Sequence, residues 1–334
     1  MDKRARKRWA ILDVLKGARE PMSGGRVAAE LAGRGMEISE RTVRLYLREL
    51  DREGLTEHHG RRGRTITDRG RSEAEDSRAL ERVGFLSARI DQMAYRMQLD
   101  LATREGTVVV NTTTLPRSAV TPERLELVSE VFASGYAMGR LITLYMPGER
   151  YGRDQEIGPD EIGLGTVCSI TLNGVLLRRG IPTYSRFGGL LDVRDGKPTR
   201  FVEIINYEGT SIDPLEIFIR SGMTDYTGAV RGGSGRIGAS FREFPAESEE
   251  AVRSVASELE EAGLGSLMVL GGPGQSILDI PVGPDRVGAV IIGGLNPVAV
   301  FEESGVRVRA TALAGLADVH RFFPYTRLAE KIGD

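Results

Sequence analysis

The chain opens in a helical rhythm of apolar positions. From Lys3 to Lys16, Trp9, Ile11, Leu12 and Leu15 form a stripe that ends at Gly17 and Pro21. Ser23 offers an N-cap for a short second helix with Val27, Ala28 and Leu31 turned inward, stopping around Gly33 and Gly35. Ser39 caps a third helix, Glu40 to Glu53, on which Val43, Leu47 and Leu50 recur on one face, and Gly54 closes it. The same wheel gathers Arg41, Arg44, Arg48 and Arg52 on the opposite side, together with Leu45. Two short strand-like runs then flank the Gly-bracketed basic tip Gly60-Arg61-Arg62-Gly63-Arg64. This order predicts a winged helix-turn-helix over residues 1–72.

Beyond Asp68 the chain stays helical in character. Residues 67–82 are strongly charged, and Val83, Leu86, Ile90, Met93, Met97 and Leu101 follow at helical spacing up to Gly106. This predicts a connecting segment, 73–105, that either packs on the next domain or pairs with its twin in a dimer. The body then alternates strand-like and helical runs. Thr107 to Leu115 precedes a helix from Pro122 to Gly135, and Gly235 to Phe244 precedes one from Glu247 to Ala262. β runs follow each helix, Val167 to Thr171 with Gly189 to Val193, then Leu267 to Leu270 with Val287 to Ile292. Gly163-Leu164-Gly165-Thr166-Val167 recurs as Gly263-Leu264-Gly265-Ser266-Leu267, Ile181-Pro182 as Ile280-Pro281, and Gly188 to Leu191 as Gly288 to Ile291, at an offset of 99 or 100. The expected body is α+β, a duplicated unit spanning 106–330 with halves 106–231 and 232–330. Its sheets are mainly antiparallel, Leu141 to Glu161 is extra sequence in the first half, and a ligand cleft lies between the halves.

Charge sharpens this division. Residues 1–72 hold 18 Lys and Arg against 11 Asp and Glu, a net of +7, and the remainder holds 27 against 36, a net of −9. A basic head on an acidic body is the footprint of a domain that meets phosphate. Arg41, Arg44, Arg48 and Arg52, with Ser39 and Thr42 in the first turn of that helix, are the candidate contacts to the major groove, and Arg61, Arg62 and Arg64 the candidate phosphate contacts of the wing. A winged helix also serves in places as an RNA-binding or protein-protein module. The composition of the whole chain, 40% hydrophobic and 28% charged, fits a soluble chain able to bury a core. A single cysteine allows no intrachain disulfide, and the chain has neither a signal peptide pattern nor a membrane-length apolar run, so a cytoplasmic protein is expected.

Little material for catalysis is present. Of three histidines, His58 and His59 sit in the wing and only His320 in the body, which leaves a His-based triad or metal site without ligands. Cys168, inside the apolar run Val167 to Leu172, is either a nucleophile or a packed core residue. Gly232 to Gly235 lacks the strand-to-helix context of a phosphate-binding loop and reads as a turn or hinge, and Gly271 to Gly274 as a hairpin turn. No enzyme activity and no cofactor are therefore expected. A binding site is better supported. Gly180 to Gly189 places Tyr184, Ser185, Arg186 and Gly188 between two strands, and Ser240-Phe241-Arg242-Glu243 adds a second arginine. With Cys168 and Thr171 these form the candidate effector site, since two guanidinium forks suit a small dicarboxylate. The alternative is that Arg186 and Arg242 pair with Glu203, Glu208 or Glu243.

Gly165-Thr166-Val167-Cys168-Ser169-Ile170-Thr171-Leu172-Asn173-Gly174 with Gly180-Ile181-Pro182, Phe201 to Asp213, Ser221-Gly222-Met223-Thr224, and Gly238-Ala239-Ser240-Phe241-Arg242 resemble the effector domain of the NrpR nitrogen-regulatory repressors, from about Arg82 to Pro324. The resemblance implies a homodimeric repressor of nitrogen-assimilation genes that binds double-stranded operator DNA and releases it on sensing 2-oxoglutarate. Well-known members carry two effector domains and this chain shows one, so either a second NrpR-domain protein is an implied partner or the chain senses something other than 2-oxoglutarate. The rival readings are an enzyme-derived domain on a DNA-binding head and a regulator that recruits a protein partner instead of sensing a metabolite.

Overall fold

The computed structural model describes residues 3–18, 20–33, 35–71, 85–152, 155–265 and 267–333. Most of the charged stretch expected at 67–82, Val83, the Ser266 position of the repeat and the Trp9 side chain lie outside that description. The chain divides into two compact units, Met1–Gly84 and Phe85–Asp334.

In the N-terminal unit, helices α1 (Lys3–Gly17), α2 (Gly24–Gly33) and α3 (Glu40–Arg52) enclose Ile11, Leu15, Val27, Leu31, Val43, Leu47 and Leu50. Ser39 caps α3, its hydroxyl accepting from the Thr42 N–H. Strands β1 (Thr56–His58) and β2 (Arg64–Ile66) make the wing, antiparallel in register His58 with Arg64. A third strand is supplied by one residue, as Met22 and Arg64 exchange backbone hydrogen bonds of 2.9 Å. Gly63 makes this possible: its φ is +112°, and a Cβ there would stand 2.2 Å from the Met22 carbonyl.

The C-terminal unit begins with α4 (Leu86–Arg96), which buries Leu86, Ile90 and Ala94 within the unit. Its apolar face is covered by its own chain, which leaves the dimer-helix alternative without that face. The helical spacing ends sooner than expected, for β3 (Leu99–Asp100) already turns back onto Glu105 and Gly106. Two antiparallel sheets follow. The first copy contributes β4 (Glu105–Pro116), α5 (Pro122–Ala133), β5 (Leu141–Tyr145), the small hairpin β6 (Arg150–Tyr151) and β7 (Gln155–Glu156), β8 (Glu161–Val167), α6 (Ile170–Arg178), β9 (Tyr184–Arg194) and β10 (Lys197–Asn206). Short helices α7 (Pro214–Arg220) and α8 (Tyr226–Arg231) lead to the second copy: β11 (Gly235–Pro245), α9 (Glu249–Glu261), β12 (Leu267–Pro273), β13 (Arg286–Ile292), α10 (Asn296–Glu303) and β14 (Arg309–Asp318). β15 (Phe323–Pro324) and α11 (Leu328–Gly333) close the chain.

The copies are interlocked. One sheet runs β10-β9-β11-β13-β12 and the other β14-β4-β8-β5-β15, so β9 of the first copy completes the sheet of the second, and β14 of the second completes that of the first. Instead of two lobes facing across a cleft, the duplication makes a strand-exchanged whole. Its register also differs from the glycine-rich words in the sequence. Pro116 corresponds to Pro245 at the end of the long first strands, and Val167 to Ile292 before the helices α6 and α10. Gly163 to Val167 lies in β8 while Gly263 to Gly265 is the turn before β12, so that match is one of composition. Gly271 to Pro273 belongs to β12, and the turn comes only at Gly274.

Cys168 and Thr171 stand in a different setting from the expected strand. β8 stops at Val167 and α6 begins at Ile170, because Ile170, Leu172, Val175 and Leu176 are buried around a helix enclosed on all sides. A short run of unbroken apolar residues does not distinguish such a helix from a buried strand.

The exchange is cemented by Phe241 on β11, fully buried and stacked on Phe187 of β9 at 5.4 Å between ring centres. Phe241→Ala is expected to destabilise the C-terminal unit by about 3–5 kcal/mol in equilibrium urea unfolding; a loss below about 1 kcal/mol would show that the joint between the copies lies elsewhere.

Candidate nucleic-acid interface and effector site

On α3, Arg41, Arg44, Arg48 and Arg52 are all exposed, and Leu45 is 51% exposed among them. The face can therefore offer guanidinium forks to guanine and an apolar side chain to a thymine methyl. Two of the arginines are already oriented. Arg44 pairs with Glu40 one turn earlier and packs against Gly24 of α2, and the Arg48 Nε donates to the Arg44 carbonyl at 3.4 Å. Ser39 and Thr42 hydroxyls lie 2.9 Å apart at the N-terminus of the helix, where backbone N–H groups and the positive end of the helix dipole suit a phosphate.

In the wing, Arg61 and Arg62 are exposed at the tip. Arg64 is not available to phosphate in the same way: its Nε donates to Asp51 Oδ2 at 2.8 Å, and its side chain is only 13% exposed. Asp51 also accepts from Thr56 Oγ1 at 2.6 Å. A carboxylate near the end of α3 thus holds both strands of the wing, and Arg64 serves to fix wing to helix.

In the C-terminal unit the predicted effector residues part company. Arg186 is the extra residue of a bulge where β9 pairs with β11, and it turns to Glu243, with Nη1 2.7 Å from Oε1, to the Pro281 carbonyl at 2.9 Å and to the Phe241 ring. Of the three carboxylates proposed as its partner, Glu243 is the one it meets. Tyr184 is exposed beside Glu208. Thr171 faces β4, its hydroxyl 3.2 Å from the Val109 N–H. Arg242 lies on the other face of β11, because alternate residues of a strand point to opposite sides, and so the two arginines do not converge on one ligand.

Arg242 instead has Ser240 on its own face. It is fully buried, and among the described residues no carboxylate lies within salt-bridge distance of it. Nη1 donates to the Ser169 carbonyl at 2.8 Å and to Asn173 Oδ1, Nη2 donates to Ser169 Oγ at 2.6 Å, and Nε has no partner. Asn173 in turn donates to Ser185 Oγ at 3.1 Å. Beside this arginine lies a cavity of about 20 Å³, walled by Asn111, Cys168, Ser169, Ser240 and Gly293 to Leu295, with Tyr207, Asp213 and Leu215 over it. Asn111 and Ser240 hold the same place in the two long strands, as do Cys168-Ser169 and Gly293-Gly294 before the two helices. The cavity therefore sits where the copies meet. Gly294 is needed there, since a Cβ would stand 2.4 Å from both Asn111 Nδ2 and the Val167 carbonyl. Gly188 pairs with Ser240 and lies against Pro214 and the Tyr207 hydroxyl.

Burial dominates the electrostatics. It pushes the Cys168 thiol up to about 12, Asp213 up to about 6 and Glu216 up to about 7, and it lowers Arg242 from its ordinary value. Glu216 accepts from the Ala312 N–H at 2.5 Å and Asn111 from the Leu313 N–H at 3.1 Å, so two side chains satisfy the bulge in β14. Ser240 Oγ is near enough to the Tyr207 hydroxyl to favour its ionised form slightly but makes no hydrogen bond of normal geometry. Among the described residues no group of three His, Cys, Asp or Glu is placed to hold a metal, and no helix is long and apolar enough to cross a membrane.

Of the residues singled out from the sequence, Cys168 and Ser240 line this cavity and Arg242 and Gly188 lie beside it; Asn111, Ser169, Asn173, Tyr207 and Asp213 were not among them. Ser169 and Asn173 stand one helical turn apart, a spacing visible only once Ile170–Arg178 is read as a helix.

Comparison with known proteins bears on both units. Residues 83–323 match the family model of the NrpR regulatory domains NRD1 and 2, and residues 9–74 that of the ribonuclease R winged-helix domain. The chain is 34% identical to the global nitrogen regulator NrpRI of Methanosarcina mazei, over 94% of its own length and 96% of that protein. It is 31% identical to the global nitrogen regulator NrpR of Methanococcus maripaludis over 92% of its length, and 33% identical to that of Methanocaldococcus jannaschii over 93%. Of each of these two it spans 53%, about half. A crystal structure of a nitrogen repressor-like protein from Methanococcus jannaschii shares the fold, with a TM-score of 0.60 at 23% identity over 72% of this chain and 99% of that one.

Two outcomes follow from the buried site. Cys168 is expected to resist thiol reagents in the folded protein at neutral pH and to react once denaturant is added, checked by titration with a chromogenic disulfide. Glu216 and Asp213 hold their protons more tightly folded than unfolded, so they favour the fold at low pH and lose that contribution as pH rises through the folded values. The melting temperature of the C-terminal unit is therefore expected to fall between about pH 4 and pH 7, and Glu216→Gln to flatten that fall.

Proposed function

As the chain belongs to the NrpR family of nitrogen regulators, we propose that this transcription regulator is a homodimeric repressor whose winged unit binds double-stranded operator DNA and lets go when a small dicarboxylate, 2-oxoglutarate, is bound by the C-terminal unit. The observation that carries the DNA half is the exposed arginine face of α3, with its wing fastened to it through Asp51 and Arg64. α3 enters the major groove with Arg41, Arg44, Arg48 and Arg52, while Arg61 and Arg62 meet phosphate. Arg44 exchanges Glu40 for DNA on docking, a change between two exposed partners that costs little.

For the effector, the supporting feature is the buried Arg242 with Ser169, Asn173 and Ser240 around it, where Arg186 is already paired. A dimer brings two regulatory units and two reading heads, which gain affinity by linking paired half-sites. A second NrpR-domain protein is a further partner for a member with one such unit. An enzyme reading gains no support from Cys168, whose thiol is buried and protonated at neutral pH.

Arg44→Ala or Arg48→Ala is expected to weaken operator binding by about 1–3 kcal/mol, measured by polarisation with a promoter fragment at fixed salt; unchanged affinity in both variants counts against this docking. Calorimetry with 2-oxoglutarate is expected to show saturable heat, and its absence at millimolar ligand removes that effector.

A further inference from the structure

Beside the cavity between the copies, bonded to its wall through Ser169, stands a cation with no carboxylate within salt-bridge distance among the described residues. Arg242 is fully buried, its Nε is unpartnered, and the neighbour on its own face of β11, Ser240, lines the cavity with an unpartnered hydroxyl while 97% of its surface is buried, its exposure being 3%. Two helices also start at the cavity wall, α6 after Ser169 and α10 after Leu295, and their N-terminal ends add positive potential. A guanidinium in such surroundings is costly without a counter-ion. The one acid on the wall is Asp213, which caps α7 by accepting from the Leu215 N–H at 2.9 Å. It arrives on the segment from Tyr207 to Leu215 that covers the cavity. At about 20 Å³ the space holds a single water, so a dicarboxylate cannot enter while that segment is down.

We propose that this cavity is the closed form of a carboxylate site, in which Asp213 offsets the charge of Arg242 from beyond salt-bridge distance until an entering carboxylate pairs with Arg242 directly and lifts the Tyr207–Leu215 segment. The proposal rests on the effector reading above and adds the site's counter-ion and its moving part. The same segment holds α4, for the Leu86 N–H donates to the Thr210 carbonyl at 2.8 Å. Arg89 of α4 also lies near enough to Asp213 and Glu216 to favour their ionised forms. Lifting the segment therefore releases the start of α4, the end of the C-terminal unit through which the chain continues from the winged unit. A ligand can drive this only by binding the lifted state more tightly than the closed one.

The groups facing Asp213 are Arg242 from β11, Arg89 from α4, Tyr207 and Glu216 from the covering segment and α7, and Cys168 from the turn before α6. Of the acids among them, Asp213 is the one the ligand must displace, so carboxylate affinity should rise as pH falls through about 6. The test is calorimetry of the full chain with 2-oxoglutarate, glutarate and acetate across that range. Asp213→Asn is expected to tighten dicarboxylate binding about tenfold at neutral pH and to remove its pH dependence. Arg242→Gln is expected to abolish binding, and because that variant risks misfolding, the gain in Asp213→Asn is the deciding measurement. If 2-oxoglutarate binds and neither substitution changes its affinity, this site is overturned while the effector reading survives. If glutarate or acetate binds with the expected dependence on Asp213 and 2-oxoglutarate does not, the site stands and that effector is removed. No binding of any of the three to wild type or Asp213→Asn overturns both.

Discussion

The C-terminal unit depends on an exchange of strands between its two copies. Each sheet lacks one inner or edge member until the other copy supplies β9 or β14, and main-chain hydrogen bonds along those ladders join the copies far more tightly than a packed interface between lobes would. The polar centre follows from the same arrangement. Strands from both copies meet around Asn111 and Ser240, and helices from both begin beside them, so backbone groups and one buried arginine are drawn to a single point. Arg242 reaches from a second-copy strand to Ser169 and Asn173 of a first-copy helix, which makes the polar contact a cross-brace as well as a site.

The N-terminal unit uses its charge differently. Asp51 and Arg64 are largely withdrawn from water and hold the wing against α3, while Arg41, Arg48, Arg52, Arg61 and Arg62 remain on the surface. One enclosed ion pair fixes wing to helix, and the exposed guanidinium groups are left accessible.

Much of this was legible in the sequence. The three helices of the head, the Ser39 cap and the arginine face on Glu40–Arg52 follow from spacing alone, because each is a local effect. The role of Arg64 was not, since its partner Asp51 lies on another element and only the hairpin brings them together. In the body, the two long first strands and the runs at Gly189–Val193, Leu267–Leu270 and Val287–Ile292 were found, but Leu141–Tyr145, Glu161–Val167, Lys197–Asn206 and Arg309–Asp318 were not; the repeat was aligned on glycine-rich words of which one lies in a strand and its match in a turn, and the true correspondence rests on long-range pairing. Cys168 and Thr171 were misplaced because the first turns of this helix are buried, its polar residues Thr171 and Asn173 included, so no exposed polar stripe marks it. Asp213 and Tyr207 carry no motif; they enter the site only because the segment after β10 folds back over the junction of the copies.

The strand exchange also bears on how such a unit can arise. A polypeptide holding only one copy would have an incomplete sheet and a spare strand, and two such chains would satisfy each other by trading that strand. The present unit is therefore equivalent to a swapped pair joined end to end, with its central pocket on what would have been an exact rotation axis. Joining frees the two sides to diverge, and they have: Ser169 corresponds to Gly294 and Asn111 to Ser240, and the Tyr207–Leu215 segment adds to the wall from one copy. An unsymmetrical molecule can then be held in one orientation, which a pocket on a true twofold axis could not enforce.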